Sequence, residues 1–135
     1  MTDLSDLINR VRVATGPDRE LDCAIFCATA ESPFQNYYPD CVMASQGGFA
    51  ARVEISDIPK FSGSIDAAAA LCECVIPNFH RWTVGYGNGE TFAYVDWRDG
   101  DEDNWDRCTT RPAPAPTAPL ALTLAVLLAK QEIEQ

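Results

Sequence analysis

Basic residues are scarce in this chain. Ten Lys and Arg stand against twenty Asp and Glu, so 135 residues carry a formal net charge of −10. A field of that sign repels phosphate backbones and anionic lipid, which excludes general DNA or RNA binding. Histidine is scarcer still, since His80 is the single one. None of the six cysteines forms a C-x-x-C pair, so a structural zinc site lacks its usual spacing. Long apolar runs are missing as well. The most apolar stretch, Ala118 to Ala129, is shorter than the roughly 20 residues that span a bilayer. Gly-rich phosphate loops and nucleophile-elbow contexts are absent. The N-terminal MTDLSDLINRVRVATG mixes charges with apolar residues and reads as no signal peptide. The expectation is a cytoplasmic protein, with its cysteines reduced and behaving as small apolar residues.

What is present describes one soluble domain over residues 1–135. Apolar residues make up 47% and charged residues 22%, ordinary values for a globular chain. Leu4, Leu7, Ile8 and Val11 recur at helical spacing, and Gly16 ends that helix. Pro17 opens a second helix with Leu21, Ala24, Ile25 and Ala28 as its apolar stripe. Residues 29–48 have no period and read as a long loop holding at most one short strand near Cys41 to Ala44. Its Phe34, Tyr37 and Tyr38 either seal a core edge or form the wall of a ligand site. Phe49 to Ile55 alternates as a strand. A helix comes next, from about Ile65 to Val75, capped by Ser62 or Ser64 and stopped by Pro77.

His80 to Gly87 and Thr91 to Trp97 are strands joined at Asn88-Gly89, a pair that tolerates the positive φ of a tight hairpin turn. The second of these strands is apolar on both faces, with Phe92 and Tyr94 on one and Ala93, Val95 and Trp97 on the other. A strand apolar on both sides is covered on both sides. The predicted fold is therefore α/β in the α+β sense: an antiparallel or mixed sheet with helices on both faces, an α/β/α sandwich. Asp99 to Asp106 reads as an acidic loop and residues 111–119 as a Pro-rich linker. The last helix, residues 119–134, is capped by Thr117. It is apolar around much of its circumference, which predicts burial in this domain or against a second copy.

Several groups invite chemistry. With Asp99 as position one of a calcium loop, position six is Asn104 rather than Gly and position twelve is Thr110 rather than Glu, so the pattern fails twice. His80 lacks an activating partner. The aromatic group of Trp82, Tyr86, Phe92, Tyr94, Trp97 and Trp105 lies among Arg81, Arg98, Arg107 and Arg111. Aromatic faces stack a base and guanidinium forks hold a phosphate, or the arginines pair with Asp96, Asp99, Asp101, Glu102 and Asp106. Arg81, Tyr94, Trp97 and Arg98 are the candidate ligand-binding residues; no catalytic residue, metal ligand or cofactor is read.

The runs Ala14 to Ile25, Ile58 to Leu71, His80 to Val95 and the C-terminal APLALTLAVLLA resemble the phage ABA sandwich domain family of small phage and prophage proteins. The most specific part is I-P-x-F-S-x-x-I-D-A-A: Ile58, Pro59, Phe61, Ser62, Ile65, Asp66, Ala67 and Ala68. The resemblance implies an α/β/α sandwich, phage origin and action in the cytoplasm of a bacterial host. It brings no catalytic residues. By analogy of size and build with phage proteins that sequester cyclic nucleotide signals, the leading expectation is a non-enzymatic counter-defence protein. It would bind and sequester a small nucleotide-type ligand. The alternative is an acidic interaction module that binds and inhibits a host protein, with Trp105 at its centre. Self-association through the last helix is expected for either.

Overall fold

A computed structural model describes residues 4–29, 34–37, 41–46, 49–101 and 103–134, with the backbone alone within 34–53 and at 55. Its four helices are α1 (Leu4–Val13), α2 (Arg19–Thr29), α3 (Ile65–Val75) and α4 (Ala118–Glu134). Its strands are β1 (Phe34–Tyr37), β2 (Cys41–Gln46), β3 (Phe49–Glu54), β4 (Phe79–Gly87), β5 (Glu90–Asp101), β6 (Asn104–Thr109) and β7 (Ala113–Ala115). They form two separate antiparallel sheets. One has the order β1-β2-β3; the other has the order β4-β5-β6, with β7 beside β5.

The helices start where local chemistry tells them to. The Asp18 carboxylate accepts from the Leu21 amide at 3.1 Å and caps α2. Ser64 does the same for α3 through the Ala67 amide at 3.3 Å. Ser62, the other cap candidate, does something else. It is fully buried, and its hydroxyl donates to Asp22 Oδ1 at 2.7 Å while accepting from the Asp18 amide at 2.8 Å. The Ser62 amide also donates to Asp22 Oδ1 at 2.8 Å, and Arg19 reaches Asp22 Oδ2 at 3.0 Å. This network locks the start of α2 onto the segment before α3. Two residues of that same segment, Ile58 and Phe61, are buried, and the Phe61 carbonyl accepts from Thr123 of α4 at 3.0 Å. The I-P-x-F-S run is thus a clasp between helices.

α4 is the centre of the core. Leu120, Ala121, Leu122, Thr123, Leu124, Ala125, Val126, Leu127 and Ala129 are all buried. The sheet lies on one side of it through β5, β7 and β4, and α1 and α3 lie on others. This chain alone uses up most of its apolar circumference, so α4 offers no broad apolar face to a second copy. That removes the ground on which self-association through it was expected.

The expected α+β fold is present: an antiparallel sheet with helices packed against it. The layering is more specific than the two-faced strand implied. Ala93, Val95 and Trp97 enter the core shared with α4. Among the described residues, side chains rather than a second helix close the opposite face. The Phe92 ring lies over Gly85, so close that a Cβ there would sit 2.8 Å from its Cζ. α1 packs on α4, and α3 packs on α4 and reaches β4.

Three loop or linker expectations are corrected. Residues 29–48 contain β1 and β2, paired with each other from Phe34↔Ala44 to Tyr37↔Val42. No period shows there because the strands are 4 and 6 residues long. The side chains of Phe34 and Tyr37, and all of Tyr38, lie outside the described residues, so the wall or core role expected of them does too. The acidic stretch is not a loop: β5 continues to Asp101 and β6 returns from Asn104. In the Pro-rich linker, Ala113 to Ala115 pairs with Thr91 to Ala93, and Ala113 is buried. Proline is tolerated there because β7 is an edge strand. The Asn88-Gly89 turn forms as read, with φ of 55° and 79°.

Candidate functional site

Register decides which side chains of the sheet meet. Arg81 pairs with Asp96, Asp96 with Thr109 and Arg98 with Arg107. Side chains opposite one another in an antiparallel pair share a face, and so do residues two apart in one strand. Arg81, Tyr94, Asp96, Arg98, Arg107 and Thr109 therefore stand on the face away from α4. Trp105, opposite Gly100, extends the row.

Asp96 is the hub of that face. Its side chain has no exposed area, yet its cover is two guanidinium groups and not an apolar core. Arg81 Nε donates to Oδ2 at 2.7 Å, and Arg107 Nη2 donates to the same oxygen at 2.6 Å. Burial by itself would raise the carboxyl pKa. Hydrogen bonds from Arg81, Thr109 and Arg107 outweigh it and hold the carboxyl below its ordinary value. Oδ1 makes no hydrogen bond of good geometry, which leaves one buried acceptor unused. The two arginines stay half exposed, at 53% and 47%.

Past the end of β4 the sheet narrows to two strands. The Arg98 amide still donates to the Asn78 carbonyl at 3.1 Å. From Asp99 to Asp106, β5 and β6 pair only with each other among the described residues, as a ribbon. Every described residue from Arg98 to Arg107 is exposed. Gly100 has φ of 123° in the middle of it. A Cβ there would meet the Asn104 carbonyl oxygen at 2.5 Å, so only glycine fits this crossing. The Arg98 guanidinium lies 4.9 Å from the centroid of the Trp105 ring, a cation–π contact worth about 0.5–1 kcal/mol at an exposed site. Trp105 remains 42% exposed beneath it. Five acids, Asp99, Asp101, Glu102, Asp103 and Asp106, share the Arg98 to Arg107 stretch with two arginines.

The four candidate residues do not form one pocket wall. Arg81, Tyr94 and Arg98 share the open face; Trp97 points to the other side and is 5% exposed within the core. The reason is strand alternation, since Tyr94 and Trp97 are three residues apart. Arg81 is held by Asp96, and Arg98 by Trp105. The sequence reading offered Asp96 as one of several carboxylates that pair with these arginines, Arg107 among them, but did not single it out as the hub that Arg81 and Arg107 share. The signal was available: Asp96 is the one acid inside the apolar run Phe92 to Trp97, and its register partner is an arginine.

Among the described residues, no three of His, Cys, Asp and Glu come together as a metal-holding group. No described helix is long and apolar enough to cross a membrane. No family model matches the chain, and neither does any curated protein or solved structure.

Proposed function

We propose that the protein works by binding rather than by catalysis, and that the β5–β6 ribbon is its contact element for a partner with a basic surface. The observation that carries this is the ribbon itself. It stands beyond the sheet with all its described residues exposed, and it presents a large aromatic ring among acids. A two-stranded ribbon is marginal in water unless something else holds it, so ordering it where it buries nothing has a cost that binding would offset. Tryptophan and arginine side by side are the commonest anchors of protein interfaces. Acids around them steer a basic partner and set orientation.

The corresponding biological role is that of a phage-encoded accessory protein that binds and inhibits a host protein in the bacterial cytoplasm. The support for that setting is the set of runs that resemble phage sandwich proteins, together with the acidity. The test is capture of partners from bacterial lysate by the folded protein and by Trp105→Ala combined with Asp101→Asn and Asp103→Asn. A partner retained by the wild type, released by the variant and weakened by salt is the expected result. Equal recovery on both would refute the ribbon as the contact.

A small nucleotide-type ligand, sequestered as a counter-defence measure, is the second reading. Its support is the half-exposed Arg81 and Arg107 on the same face as Tyr94. Calorimetry with a panel of cyclic nucleotides tests it, and absence of heat from folded protein would end it.

A further inference from the structure

A broad concavity lies away from the ribbon. It is a groove of about 720 Å³ between α4 and the segment from the end of β6 at Thr109 into β7, with the last turn of α1 at its mouth. That volume falls in the range of about 300–1,000 Å³ typical of small-molecule sites. Leu128 of α4 and the exposed Pro112 and Pro114 make an apolar wall, above the buried Leu124 and Ala113. Arg12 and Arg111 stand at the groove, both exposed, and neither makes an ion pair among the described residues. Glu132 lines it too.

We infer that this groove binds an aliphatic monocarboxylate, with the chain along Leu128, Pro112 and Pro114 and the carboxylate between Arg12 and Arg111.

Three features select that class. First, two guanidiniums and one carboxylate leave a local charge of +1, in a protein whose overall charge is −10. One negative charge is matched there; a di- or triphosphate would meet both Glu132 and the repulsion of the whole molecule. Second, none of the lining residues is aromatic, so a nucleobase has nothing to stack on, whereas an alkyl chain finds leucine and proline. Third, guanidinium forks match carboxylate geometry with paired hydrogen bonds. This site lies apart from the ribbon, and it meets the sheet face around Asp96 only through Thr109. It shares no residue with Arg81, Tyr94, Trp97 or Arg98.

The groove makes quantitative demands. Each methylene removed from water adds about fourfold in affinity, so decanoate should bind far more tightly than butanoate. Losing one charge-assisted pair should weaken binding about tenfold. Calorimetry with butanoate, octanoate, decanoate, decanol and adenosine monophosphate reads these directly, at concentrations below micelle formation. The expected result is one decanoate per chain, weaker octanoate, and little heat from butanoate or decanol. Arg12→Gln and Arg111→Gln should each weaken decanoate about tenfold, while Trp105→Ala leaves it unchanged. Both arginines are exposed, so the variants should melt as the wild type does; Leu128→Gln provides a second, uncharged test of the wall. No saturable decanoate binding by folded protein would overturn the proposal. So would affinity indifferent to both arginine changes, or tighter binding of the nucleotide than of decanoate.

Discussion

Replacing Ser62 by alanine removes one oxygen from a fully buried position where three hydrogen-bond contacts meet, the longest of them 3.1 Å to the Asp18 carbonyl. The hydroxyl gives Asp22 Oδ1 a 2.7 Å hydrogen bond and takes one of 2.8 Å from the Asp18 amide. Asp22 is itself buried and keeps two partners, the Ser62 amide and Arg19. The aspartate therefore stays satisfied in part, which caps the loss well below that of orphaning a buried charge. A hydrogen bond to a charged group contributes about 1.5–3 kcal/mol. The expected loss is about 2–3 kcal/mol, a large part of the 5–15 kcal/mol that typically holds a domain together. At about 2.1 cal/mol/K of unfolding entropy per residue, that lowers Tm by about 7–10 °C for a chain of this length. Thermal melts by circular dichroism measure it. A double-mutant cycle with Asp22→Ala should show coupling of about 1 kcal/mol or more. If Ser62→Ala melts within 2 °C of the wild type (roughly the melt's own scatter) or couples to nothing, the clasp does not hold α2 to the segment before α3.

Three other perturbations have outcomes set by single observations. The Asp96 carboxyl is held below its ordinary pKa, so its stabilisation is present above about pH 4 and disappears as pH falls through the folded-state value. The Tm gap between wild type and Asp96→Asn should accordingly be wide at pH 7 and narrow at pH 3; an equal gap at both would contradict the ion-pair hub. Thr117 stands where α4 needs a cap, yet its Oγ1 is buried with no hydrogen-bond partner, so Thr117→Ala should cost less than the roughly 1 kcal/mol of a working cap. A Tm loss above about 5 °C would show that the hydroxyl is paired after all. Burial pushes the Cys72 thiol up to about 12, whereas Cys74 is exposed two residues along α3. A maleimide reagent at neutral pH should modify Cys74 and leave Cys72 untouched until the protein unfolds, as mass spectrometry of the labelled peptides would read.

The parts of the fold that were legible in the sequence share a physical trait: their signals are local and long. α1 and α3 each carry an apolar stripe over ten residues or more, with Gly16 or Pro77 to stop them, and α4 is a long, nearly continuous apolar run. The β4–β5 hairpin is announced by Asn88-Gly89, because few other pairs accept positive φ twice. The meander of β1, β2 and β3 left no such trace. Its strands are short, and their stabilisation comes from cross-strand pairing, which no single stretch of chain displays. β7 is similar: an alternation of Pro and Ala looks like a linker until β5 supplies the hydrogen bonds.

The candidate site shows the same limit in sharper form. Composition placed aromatic rings and arginines near one sheet, and they are there. What composition cannot reveal is whether a guanidinium is already spoken for. Arg81 lies 15 residues from Asp96 and Arg107 lies 11, with closer acids beside Arg107, yet register brings both to one oxygen of Asp96. Arg98 is committed to a ring across the ribbon. Arg12 is almost a hundred residues from Arg111, and only the packing of α1 against α4 sets them on one groove. A charged side chain becomes a site when folding leaves it unpaired beside a cavity. That condition depends on long-range geometry, so the arginines that looked most like a pocket are those that hold the sheet together. Of the two free to meet a ligand, Arg111 stood among the arginines that the sequence singled out, but Arg12 belonged to no pattern with it, and only the fold makes them a pair.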